Sequence, residues 1–305
     1  MRPAWSVILL TTLLGAGQGL FLAVFAADVA FHLEKDFIVI CAAVVLLLLA
    51  SGLAASFFHL GRPERAWRSA AMWRTSWLSR EVIALPLFMA AVVLYGYAHL
   101  DSFDRNTSLT IGSAAATLCI VLFVCTAMIY ACLKFLQEWH SPLTVANFIL
   151  LGLASGLTAA AALAAWLQPG LARAYTAAAL IAGALGYVSR LAALARNERL
   201  RPRSTLATAI GVKHPRITQI AQGAMGGSFN TREFFHGRPR EVVRAARWAF
   251  LALVFPLPAL LLLLTDSPAG LLAAFLAQYA GLLVERWYFF AEAKHPQNLY
   301  YQAIA

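Results

Sequence analysis

FHLGRPERAWRSAAMWRTSWLSREV, residues 58–82, joins two long apolar runs and gathers Arg62, Arg65, Arg68, Arg74, Arg80, three tryptophans, His59 and Glu81 where hydrophobic helices meet water. Working outward from it, the chain has 305 residues, 61% of them hydrophobic and 12% charged, with a mean hydropathy of +0.71. Soluble domains average about 45–50% apolar and about 25% charged residues, so the natural solvent of this chain is lipid. Segments of roughly 20 apolar residues recur along it, the length that crosses a hydrocarbon core of about 30 Å. The fold class read from this is all-α: one polytopic membrane domain, 1–305, forming a bundle of eight transmembrane helices. The spans fall at about 5–27, 37–60, 80–100, 108–133, 142–167, 173–195, 242–264 and 268–291, and 196–241 forms a long basic cytoplasmic loop within the domain. Arg2 and the run after it imitate a secretory signal with Val24, Phe25 and Ala26 as cleavage site, but the apolar part is too long, and it is read as a true first span.

An even number of spans puts both termini on one side. That side receives all of the 24 Lys and Arg except Lys35, Arg105 and Arg173, while Asp28, Glu34, Asp36, Asp101, Asp104 and Asp266 lie opposite. So strong a positive-inside bias puts both termini, and residues 58–82 with them, on the cytoplasmic side of a multi-pass membrane protein. The net charge of +10 is explained by the same bias. No nucleic-acid motif accompanies it, so nucleic acid is not an expected partner. Cys41, Cys119, Cys125 and Cys132 lie in apolar segments without a C-x-x-C pair, which suits packing and indicates neither disulfides nor a metal site.

Gly15-Ala-Gly-Gln-Gly19 and Gly152-Leu-Ala-Ser-Gly156 place small residues four apart and allow close helix contact, within one subunit or between two. The long loop carries Ile217, Ile220, Met225, Phe229, Phe234 and Phe235 among its basic residues. It is either a docking surface for a soluble partner or a cap over the chain's own bundle.

Several polar residues fall at one depth near the cytoplasmic face: His59, Glu81, Tyr130, Lys134, Asn147, Glu285 and Arg286. Each has a plain structural reading, as interfacial anchor, snorkelling cation or helix-end cap. Taken together they suit a quinone headgroup, which arrives from the bilayer, accepts hydrogen bonds at its carbonyl oxygens and exchanges protons with its electrons. A His can donate to such an oxygen in one state and accept its proton in the other, and Glu81 can pass that proton on. Arg62, Arg80, Trp77, Tyr130, Asn147, Glu285 and Arg286 are the candidate pocket residues around His59 and Glu81. Arg65, Arg68, Arg74, Arg232, Phe234, Phe235 and His236 are the candidates for partner docking. A transmembrane b-type haem needs axial His within the spans, whereas every His here lies at a helix end or in a loop, so no haem is expected and electrons must come from a partner.

The run HLGRPERAW followed by WRTSWLSRE resembles the signature of the membrane anchor subunit of bacterial dimethyl sulfoxide reductase and its relatives. The resemblance implies an anchor without haem that holds a four-cluster ferredoxin-like iron–sulfur subunit and a molybdopterin catalytic subunit, which carry the clusters and the molybdopterin, and that exchanges electrons with ubiquinone or menaquinone. It places the family's quinol-site His on His59 and its essential Glu on Glu81. GGSFNTREFFHG and the tail ERWYFFAEAKHPQNLYYQ resemble the cytoplasm-facing, sulfite-oxidising branch, which sends electrons from sulfite to quinone. The alternatives are a sulfoxide reductase anchor that oxidises menaquinol, a purely structural anchor, and a secondary transporter using Arg80, Glu81, Glu285 and Arg286. Against the transporter, no inverted repeat is evident and little charge lies at mid-membrane.

Overall fold

The computed structural model describes residues 1–31, 33–58, 60–214, 216–218, 220 and 233–300. Every regular element among them is helical: α1 (Trp5–Ala30), α2 (Lys35–Phe57), a 3₁₀ stretch (Pro63–Ala70), α3 (Trp77–Leu100), α4 (Arg105–Ala131), α5 (Pro142–Leu167), a 3₁₀ turn (Pro169–Leu171), α6 (Ala172–Glu198), a short α7 (Leu206–Ile210), α8 (Arg240–Val254), α9 (Pro256–Leu264), α10 (Pro268–Glu292) and α11 (Gln297–Tyr300). Counting α8 and α9 as one crossing, eight helical segments among the described residues are long and apolar enough to span a membrane. Helices close every backbone hydrogen bond within the segment, which is why lipid selects them.

Local chemistry sets the boundaries. Ser76 accepts from the Ser79 amide at 3.3 Å, so α3 begins at Trp77, a few residues before the expected span. Asp104 caps α4 through the Thr107 amide at 3.0 Å, and Pro142 and Pro268 occupy first-turn positions where no N–H is needed. Hydropathy did not foresee the interruption of the seventh span at Phe255, just before Pro256 and Pro258. Neither proline can donate to the preceding turn.

α1 and α5 form the centre of the bundle. A Cβ on Gly19 would overlap the Gly152 carbonyl, and one on Gly156 would overlap the Gly19 backbone. The two small-residue motifs thus pack against each other within one chain. Gln18 adds a hydrogen bond across α1 and α4, its Nε2 donating to the Cys119 carbonyl at 3.0 Å.

The ends of the bundle differ. Away from the termini, Asp28 at the end of α1 is buried and receives the Tyr95 hydroxyl at 2.6 Å, with His99 Nε2 at 3.3 Å and Arg105 Nη1 at 3.4 Å. One carboxylate therefore ties α1 to the end of α3 and the start of α4. On the terminal side, the Met1 amine donates to the Ala293 carbonyl at 2.7 Å and the Arg2 amide to the Glu233 carbonyl at 3.1 Å. Phe234 stacks on His295 with centroids 3.8 Å apart, and Asn298 donates to the Phe234 carbonyl at 2.8 Å. The described end of the long loop thus lies on the chain's own termini.

Candidate functional site

Glu81 lies in the second turn of α3, 6% exposed, and the Thr126 hydroxyl of α4 donates to its Oε1 at 2.5 Å. The carboxyl helps line a cavity of about 290 Å³ between the starts of α1 and α3 and the end of α4, together with Leu78, Tyr130, Trp139 and Phe290. That volume is close to the roughly 300 Å³ at which small-molecule sites begin.

Tyr130 and Trp139 belong to an aromatic wall. Tyr130 stacks on Phe148 at 5.5 Å and meets Trp139, Phe289 and Phe290 edge-on. Trp139 is held in place by its indole N–H, which donates to the Phe289 carbonyl at 2.9 Å. The wall is apolar on its faces, leaving the Glu81 carboxyl and the Tyr130 phenol as the cavity's polar side-chain groups alongside Thr11 and Arg2. A carboxyl and a phenol can donate hydrogen bonds to a ring carbonyl, and a carboxyl can exchange a proton with it.

Beyond the wall is a second polar group. Arg190 of α6 pairs with Glu285 at 2.9 Å and Glu292 at 3.9 Å, and Arg286 sits 3.6 Å from Glu285 with its guanidinium 3.8 Å from the Phe148 ring centre. Asn147 joins Glu285 and Arg286 around a void of about 10 Å³, room for one water and no more. Residues that the sequence places at one depth therefore divide: Glu81 and Tyr130 share the larger cavity, while Asn147, Glu285 and Arg286 lie behind Phe148 and Phe289.

The remaining described candidates lie outside both cavities. Arg80 donates to the Trp73 and Arg74 carbonyls at 2.9 and 2.8 Å and lies over the Trp77 ring at 4.3 Å, fastening the loop to the start of α3. Arg62, Arg65, Arg68 and Arg74 are exposed, the last two beside Trp67 and Trp73. Phe234 is spent on His295, and Phe235 lies against His236. His236 and His295 both have their pKa pushed down, first by burial and then by the charge of the Met1 amine. His59 and Arg232 lie outside the described residues.

Thr126, Trp139, Arg190 and Glu292 were not among the sequence candidates. Arg190 had a signal, a lone arginine inside the apolar part of α6, and such a residue needs a partner in lipid. Thr126 had none, since a threonine in a span ordinarily bonds its own helix.

Comparison with known proteins agrees with this architecture. A sulfite dehydrogenase subunit of Allochromatium vinosum is 54% identical, with all of both chains covered. The family model of the DMSO reductase anchor subunit, DmsC, matches residues 1–301. The chain is a multi-pass membrane protein that belongs to the DMSO reductase anchor subunit family.

Proposed function

We propose that this chain is the quinone-reactive anchor of a sulfite-oxidising complex of the bacterial inner membrane, its termini in the cytoplasm. A four-cluster iron–sulfur subunit and a molybdopterin subunit dock on the terminal side, where the basic residues gather. Oxidation of sulfite to sulfate, with water supplying the added oxygen, releases two electrons and two protons, and reduction of a quinone to the quinol consumes two of each. Glu81 supplies a proton to one ring oxygen, Tyr130 donates a hydrogen bond, and Trp139 with Phe290 forms the apolar wall beside the ring. His59, the family's quinol-site position, is the second proton-exchanging group. The observation that carries the reading is the buried Glu81 carboxyl in a cavity that it shares with Tyr130. The 54% identity to a sulfite dehydrogenase subunit favours the sulfite-to-quinone direction over menaquinol oxidation.

The test uses the assembled complex. Glu81→Gln and His59→Ala are expected to lower quinone-linked sulfite oxidation by about 10²-fold or more, the usual worth of a general acid or base, with turnover on a soluble acceptor unchanged. Quinone-linked turnover at the wild-type level in both variants overturns the reading.

A further inference from the structure

The seam between α6 and the α8–α9 pair is pinned at two points. Arg247 pairs with Glu198 near the terminal side, and deeper in the bundle the Tyr187 and Phe255 rings lie 4.9 Å apart. Beside the ion pair is a cavity of about 350 Å³ whose lining includes His236, Arg240, Arg244, Arg247 and Lys294. Deeper still, an apolar groove of about 330 Å³ is lined by Ala179, Gly183, Tyr187, Phe255, Pro256 and Leu262. The groove lies where the seventh span is interrupted.

The charges in the upper cavity do not cancel. Of its acids, Glu198 is committed to Arg247 and Glu292 to Arg190, which leaves Glu138. Arg240, Arg244 and Lys294 have no ion pair among the described residues. Arg240, Arg244 and Arg247 follow helical spacing on one face of the first turns of α8, where the helix dipole already disfavours cations. Pro239 provides no side-chain cap there, and Glu241 is the acid of the first turn. Trp248, 64% exposed, marks this level as the membrane–water boundary. From Arg244 to Val254, at the edge of the groove, is about 15 Å along the helix. A lipid with its phosphate among the cations would thus reach the groove with an acyl chain.

We propose that this seam binds an anionic phospholipid of the leaflet on the terminal side, its phosphate between Arg240, Arg244 and Lys294 and one acyl chain in the α6–α9 groove. The proposal is independent of the quinone reading, because none of these residues lines the Glu81 cavity. The experiment reconstitutes the complex in nanodiscs of equal phosphatidylglycerol and phosphatidylethanolamine and counts retained lipid by native mass spectrometry. Wild type is expected to retain phosphatidylglycerol over phosphatidylethanolamine by roughly tenfold or more, given the attraction of several cations. The triple change Arg240→Gln, Arg244→Gln, Lys294→Gln is expected to abolish the preference. Gly183→Leu is expected to lower retention of both lipids; a Cβ at Gly183 meets nothing within 4 Å, so this variant blocks the groove without a backbone clash. Equal retention of the two lipids by wild type overturns the proposal. So does an unaffected Gly183→Leu variant whose lipid is displaced by inorganic phosphate, which would mean a bare ion site. Lipid held by the chain alone but expelled on assembly would make the surface a protein interface and overturn it as well.

Discussion

Glu81 accepts a hydrogen bond from Thr126, and the orientation of the carboxyl in its cavity depends on it. Thr126→Val keeps the shape and removes the donor, at a cost of about 1–3 kcal/mol for an unsatisfied buried group. Quinone-linked turnover is expected to fall about tenfold while turnover on a soluble acceptor holds, and Thr126→Ser should restore it. Arg190 is a structural counterpart. Replacing it by Met leaves Glu285 and Glu292 without the cation between them, and a broken buried pair costs about 3–5 kcal/mol. A thermal melt of the detergent-solubilised chain should drop accordingly and recover in part when Glu285→Gln is added. The sequence made Glu81 and Tyr130 legible because ionisable and phenolic groups at a membrane boundary are conspicuous. Their separation from Asn147, Glu285 and Arg286 was not legible, because it depends on Phe148 and Phe289, which look like any other apolar residues until the helices are packed.

Among the helices, the tightest constraint is the crossing of α1 and α5. Gly19→Val forces the two backbones apart, and with overpacking costing typically about 1–3 kcal/mol and more against backbone, the variant should show a reduced folded fraction in gel filtration. Gly170→Ala, where an added Cβ meets nothing within 4 Å, is the matched control and should behave as wild type. Eight spans could be read from hydropathy because lipid imposes both their length and their composition. The break at Phe255 could not: α3 contains Pro86 and continues unbroken, so a proline in a span does not by itself predict an interruption. Two prolines within one turn, on a helix whose neighbour α10 approaches through Gly281, decide the matter in packing.

For the molecule as a whole, the first residues, the end of the long loop and the tail form one clasp on the terminal side. His236 and His295 in this clasp have lowered pKa values, so the unfolded or opened chain binds protons more readily than the closed one. Their contribution is fully present above the unfolded value of about 6.5 and is lost as pH falls through the lower folded values. Trypsin cleavage after Arg240, taken relative to cleavage of an unfolded substrate at the same pH, should accelerate on going from pH 7.5 to pH 5.5. His295→Phe, which preserves the stack on Phe234 and cannot charge, should weaken that acceleration. At the far end there is no such looseness. Asp28 fastens the ends of α1 and α3 to the start of α4, and the opposite ends of these same three helices enclose the Glu81 cavity. They form a tripod whose apex is locked by a buried, ion-paired carboxylate and whose feet are joined by the Thr126–Glu81 hydrogen bond and the contacts of Met1 and Arg2. With about 30 Å from apex to feet, a tilt of some 4° widens the entrance by about 2 Å. A flat ring can then slip between the feet of the tripod while its apex stays shut.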